Sequence, residues 1–171
     1  MKLFIITDIH GSKKYLELAL EKYKKDNYNK LIVLGDILYH GPRNDLPEGY
    51  EPKEVIKLLN NLKEQIIAIK GNCDAKIDED VLDFPLFPEV LLNIGNKNVL
   101  FTHGDMLDEV DYDGYIVYGH FHKNNFDDNM LSIGSLSIPK DGHHSYAVLS
   151  DNVLSSYDLL DDALIMRKEL C

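Results

Sequence analysis

The sequence predicts an α/β fold, with a parallel sheet in its first half and mixed or antiparallel strands in its second. Three observations predict it. Short apolar runs alternate with helix-period stripes as far as Ile69, the arrangement that gives right-handed βαβ crossovers. Later runs are separated by short turn signals instead, which favours hairpins. The chain has 171 residues, 44% hydrophobic and 27% charged, so residues 1–171 are expected to form a single domain of ordinary globular composition. So many strands are expected to need two packed sheets.

Residues 3–7 (Leu-Phe-Ile-Ile-Thr) read as a short buried strand. Ser12 is placed to cap a helix on which Tyr15, Leu16, Ala19, Leu20 and Tyr23 recur at helical spacing. Residues 31–34 form the next strand, and Gly41, Pro42, Pro47 and Gly49 punctuate an irregular stretch from 39 to 51. Pro52 suits a first helical turn, with Val55, Ile56, Leu59 and Leu62 as its stripe. Residues 66–69 are a third strand. Residues 90–94 and 98–102 flank a Gly95-Asn96-Lys97 turn, and 115–118 is another strand. Residues 146–149 and 153–157 flank a turn at Asp151-Asn152, with a last strand expected within 163–167.

Composition excludes several functions. Eighteen Lys and Arg against 29 Asp and Glu give a net charge of -11. Duplex nucleic acid and anionic membranes are bound largely by neutralising phosphates, so neither is an expected partner. Two cysteines, Cys73 and Cys171, make neither a disulfide framework nor a thiolate zinc site. No secretory h-region and no apolar run of about 18 residues appears, which leads to an expected cytoplasmic location.

The turns at the strand ends carry the chemistry. Asp8 and His10 come after the first strand, Asp36 after the second and Asn72 after the third, while His103 succeeds the strand at 98–102 and His120 and His122 succeed the one at 115–118. Ligands in open α/β sheets bind beyond the carboxyl ends of the strands, so these five turns are expected to meet. Each residue alone has an ordinary home: Asp8 as a cap, Asp36 or Asn72 in a turn, His103 as a hydrogen-bonded core histidine. Four of the seven histidines fall in these turns, which is not how surface histidines scatter. Carboxylate, amide and imidazole donors without thiolate suit manganese, iron or zinc. Seven donors exceed the needs of one catalytic ion with an open position. Two ions about 3.5–4 Å apart, bridged by a carboxylate, would use them all.

D-x-H, G-D, G-N-x-D, H-G and G-H-x-H in this order resemble the signature of the calcineurin-like metallophosphoesterases across almost the whole chain. The segments His40-Gly41-Pro42-Arg43-Asn44 and Leu46-Pro47-Glu48-Gly49-Tyr50, with Gly71-Asn72-Cys73-Asp74, are most similar to the small bacterial phosphodiesterases of the YfcE type. The resemblance implies a four-layer αββα sandwich with two mixed sheets, and a dinuclear centre that prefers manganese, with zinc, iron or nickel as alternatives. It implies Asp8, His10 and His122 on one ion, Asn72, His103 and His120 on the other, and Asp36 bridging. It further implies hydrolysis of small phosphodiesters by a hydroxide held between the ions, and a homo-oligomer, dimer or tetramer. Two ions against Asp8 and Asp36 leave a pocket of about +2, which reconciles an acidic chain with an anionic substrate.

Arg43 is the expected partner of a non-bridging phosphoryl oxygen. His40 is expected to contact substrate or give a proton, and Asp74 to hold a neighbouring ligand or solvent. Cys73 stands where many family members carry a histidine that protonates the leaving group, and a thiol beside two cations tends to ionise. His143 and His144 read as loop residues. The alternatives to a phosphodiesterase are a phosphomonoesterase on the same site and a non-catalytic scaffold. Retention of all seven donors argues against the scaffold.

Overall fold

In the computed structural model, which describes residues 1–171, strand β1 (Leu3–Ile6) is apolar throughout because both its faces are buried. Phe4 and Ile6 face one side, joined by Leu31 and Val33 of β2 (Lys30–Val33). There they meet Leu16, Ala19 and Leu20 of helix α1 (Lys13–Lys25) and Val55 and Leu59 of α2 (Pro52–Asn60). Leu3 and Ile5, with Ile32 and Leu34, face the other side and meet a second sheet. The period of two along each strand thus divides one apolar run between two cores.

The remaining strands are β3 (Ile66–Ile69), β4 (Leu86–Phe87), β5 (Glu89–Ile94), β6 (Lys97–Thr102), β7 (Tyr115–Tyr118), β8 (Asn125–Asp127), β9 (Met130–Ser132), β10 (Ser145–Ser150), β11 (Val153–Asp158) and β12 (Leu164–Glu169). The larger sheet has the order β12-β11-β10-β1-β2-β3-β4, parallel from β1 to β4 and antiparallel beyond. The smaller sheet runs β5-β6-β7-β9-β8, with parallel pairings of β6 with β7 and β7 with β9. Val99, Phe101, Val117 and Leu131 fill the space between the sheets. Both helices cover the larger sheet. The outer face of the smaller one is covered more thinly, where Leu107, Val110 and Tyr112 pack on Leu100, Ile116 and Tyr118 around a 3-10 turn at Leu107–Glu109.

Local chemistry agrees with the expected ends. The Ser12 hydroxyl accepts the Tyr15 N–H at the start of α1, and Lys22, Lys24 and Lys25 complement its carboxyl end. Pro52 opens α2. Asp151 and Asn152 both have positive φ, as a two-residue hairpin turn requires. Sequence reading missed β4, β8 and β9. They are two or three residues long, too short to express a period.

Phe4 is fully buried, stacked on Tyr146 at 4.9 Å and edge-on to Tyr23 and Tyr28 at 5.8 and 5.1 Å. Phe4→Ala is expected to cost about 3–5 kcal/mol, read as a lower urea midpoint with little change in slope.

Candidate metal centre

The chain reverses after five strands, and the turns meet. β1 runs into Asp8 and His10, β2 into Asp36, β3 into Asn72, β6 into His103, and β7 into His120 and His122. These are carboxyl ends of neighbouring parallel strands in two packed sheets. All seven side chains named from the sequence therefore reach one rim. Asp8, His10, Asp36, His120 and His122 have φ between 48° and 65°, a conformation that costs about 1–3 kcal/mol but suits Asp and His better than most residues. Two glycines let the turns close: a Cβ at Gly71 would lie 2.3 Å from Asp36 Oδ1, and one at Gly119 2.0 Å from Thr7 Oγ1.

Two groups form. His122 Nε2 lies 3.3 Å from both Asp8 Oδ1 and His10 Nε2. His103 Nε2 lies 3.1 Å from Asn72 Oδ1 and 3.3 Å from His120 Nδ1. Asp36 stands between them, with Oδ2 3.8 Å from His10 Nε2 and Oδ1 3.4 Å from His103 Nε2.

Tautomers decide what these distances mean. His10, His103 and His122 each turn Nδ1 to a backbone carbonyl, of Tyr39, Leu34 and Ile138, at 2.7, 2.6 and 2.6 Å. A carbonyl only accepts, so each Nδ1 carries a proton, and each ring when neutral presents a bare Nε2 to the centre. His10 and His122 then face each other lone pair to lone pair, and fully buried Asp8 Oδ1 has no hydrogen-bond partner. Such a set is completed by a cation. The residues present fit divalent metal.

The electrostatics agree. Burial pushes the Asp8 carboxyl up, but contact with His122 and the charges of His103 and His10 more than offset it, holding Asp8 below the usual carboxylate range. Asp36 is likewise lowered, with burial outweighed by its hydrogen bond with His103. Burial disfavours charge on His10 and His120 and lowers both. His103 is the exception. Burial opposes its charge, yet the hydrogen bond with Asp36 and the nearby Asp8 carry it up to about 9. The two carboxylates thus favour positive charge at this spot, as a proton on His103 or as a cation that takes the proton's place on Nε2.

A cleft of about 920 Å³ lies over the rim, and Arg43 lines it. His40 does not. Its half-buried ring packs edge-on against Tyr39 and Tyr50, at 4.7 and 5.6 Å, rather than lining the cleft. Asp74 accepts the Asp36, Ile37 and Gly71 N–H groups at 2.9, 2.8 and 2.7 Å. It holds the turn that aims Asp36, a positioning role rather than a catalytic one. Burial pushes its carboxyl up to about 6 against those bonds. Burial and then the Asp36 charge push the Cys73 thiol up to about 12.

Sequence reading missed four contributors. The Thr7 hydroxyl donates to Asp8 Oδ2 at 2.7 Å, and the Ser135 and Ser137 hydroxyls donate to the Asp8 carbonyl at 3.0 and 3.1 Å. Lys140 lines the cleft. The serines and Lys140 lie more than a hundred residues from Asp8, and nothing local in the sequence marks them.

A profile of the calcineurin-like phosphoesterase superfamily domain matches residues 1–152. The chain is 38% identical to phosphodiesterase YfcE of Escherichia coli strain K12 over 180 residues, 98% of this chain and 97% of that one. The solved structure of the E. coli YfcE phosphoesterase superposes with a TM-score of 0.92 at 36% identity, covering both chains fully. Vacuolar protein sorting 29 from Cryptosporidium parvum shares the fold, with a TM-score of 0.65 at 19% identity over 98% of this chain and 96% of that one.

Asp74→Ala is expected to weaken manganese binding about 10–100-fold with the circular dichroism spectrum retained. Calorimetric titration checks it, and unchanged affinity would remove Asp74 from the support of Asp36.

Proposed function

Because the chain belongs to the calcineurin-like phosphoesterase superfamily, we propose that it is a metal-dependent phosphodiesterase that hydrolyses small phosphodiesters with two divalent ions, manganese by preference. The observation that carries the reading is the opposition of bare donor atoms on either side of Asp36. Asp8, His10 and His122 would hold one ion and Asn72, His103 and His120 the other, with Asp36 shared between them. Bound there, the ions acidify a water and neutralise charge on the phosphoryl oxygens.

The chain's own residues do the rest. The carbonyls of Leu34, Tyr39 and Ile138 keep three imidazoles in the ligating tautomer. Asp74 keeps Asp36 in place through three backbone N–H groups. Arg43 orients a non-bridging oxygen from the cleft wall. Cys73 lines the cleft next to Asn72, and a thiol beside two cations tends to lose the proton it would give to a leaving group, so diesters with good leaving groups react best. The relative's name supports a diester rather than a monoester substrate.

In this reading residues 1–171 are one metallophosphoesterase domain, working as a cytoplasmic homo-oligomer on a small molecule, without duplex nucleic acid or membrane. A net charge of -11 supports the last two points, and no helix is long and apolar enough to cross a membrane.

A diaryl phosphodiester should be hydrolysed only with added manganese and faster than the matching aryl monoester. Asp36→Asn should remove more than nine-tenths of that turnover at saturating manganese, a barrier increase above about 1.4 kcal/mol, with the fold intact by circular dichroism. Activity that survives above that level means Asp36 does not join the two groups.

A further inference from the structure

Arg43 and Lys140 are the only Arg or Lys side chains lining the cleft, and they come from different parts of the fold. Arg43 stands in the loop after β2, beside Gly41 to Asn44 and the Asn72 to Ala75 turn. Lys140 stands between β9 and β10, beside Phe121 and His122. Elsewhere seven lysines pair with a carboxylate and nine other Lys and Arg do not. Arg43 and Lys140 form no ion pair, although the chain carries -11. The cleft's carboxylates, Asp36 and Asp74, are buried at its floor, one against His103 and the other on backbone N–H groups. The charged side chains of the cleft wall above that floor are therefore both cations.

The base of Lys140 is fixed. Its N–H donates to the His122 carbonyl at 2.9 Å, His122 Nδ1 donates to the Ile138 carbonyl at 2.6 Å, and the Asp141 carboxylate accepts the Asn124 N–H at 2.7 Å. Three bonds within four residues hold this segment on the turn that carries His120 and His122. The ammonium thus leaves from a rigid wall rather than from a loose loop. A phosphodiester carries one negative charge on two non-bridging oxygens, which the centre and Arg43 already serve. A second cation on the other wall has no partner on such a substrate.

We propose that Lys140 binds a second anionic group, a phosphate or carboxylate, on one arm of the substrate, so that this enzyme prefers diesters with further negative charge. The inference rests on the phosphodiesterase reading above. It is tested with the manganese-loaded protein on a diaryl phosphodiester with uncharged rings and on its counterparts bearing a carboxylate or a phosphate on one ring. The charged diesters should be preferred at low ionic strength through KM, and the better of the two names the group. Lys140→Met should lower the charged-to-uncharged ratio of kcat/KM about tenfold. Lys140→Arg should retain most of it, and Lys123→Met, exposed but outside the cleft, should keep the wild-type ratio. Calorimetry with matched non-hydrolysable phosphonates should show the same discrimination without turnover. No preference in the wild-type protein, or equal losses on charged and uncharged diesters in Lys140→Met, would overturn the proposal. Failure to hydrolyse any diester, with the phosphonate preference intact, would count against the phosphodiesterase reading and still support Lys140 as the anion contact.

Discussion

Three backbone carbonyls, those of Leu34, Tyr39 and Ile138, set the chemistry of the centre. Each takes the proton-bearing nitrogen of one histidine and so commits the other nitrogen to face inward as a bare donor. Left to themselves, two such nitrogens 3.3 Å apart repel, and the wholly buried Asp8 Oδ1 beside them has no partner. The turns nevertheless hold them there. A protein keeps such an arrangement where a cation is to complete it.

Holding it requires the two cores. Five of the seven donors sit at positive φ, and turns strained in this way persist only where their surroundings over-determine them. β1 and β2 supply that, with one row of side chains locked under the helices and the other against the smaller sheet. Thr7, Ser135, Ser137 and Asp74 then satisfy the polar groups of the turns themselves. Below the rim the structure is apolar and rigid. Above it, the cleft is open and its only Arg and Lys side chains are cations without partners.

Much of this was legible in the sequence, for a physical reason. Runs such as 3–6, 30–33 and 66–69 are buried on both faces, so they are continuous apolar stretches, and each ends abruptly in a metal-capable residue. β8 and β9 were not legible, because strands of three residues each, joined by a tight turn, are too short to carry a period. The distance of His40 from Asp36 along the chain says nothing of which side of the loop its ring takes. The ring turns to Tyr39 and Tyr50. From the sequence Asp74 is expected to hold a neighbouring ligand or solvent, and the folding of β2 beside β3 shows that the group it braces is the Asp36 turn. Lys140 stayed hidden because its nearness to His122 is made by a loop returning from the second sheet.

The claim on which the rest depends is that the two groups of donors, joined by Asp36, each complete themselves around one ion. Elemental analysis of protein stripped of metal, reconstituted with manganese and freed of excess measures this directly. The result expected is an approach to two equivalents per chain, with both lost together in Asp36→Asn. A stoichiometry that stays at one or below at saturation would contradict the account.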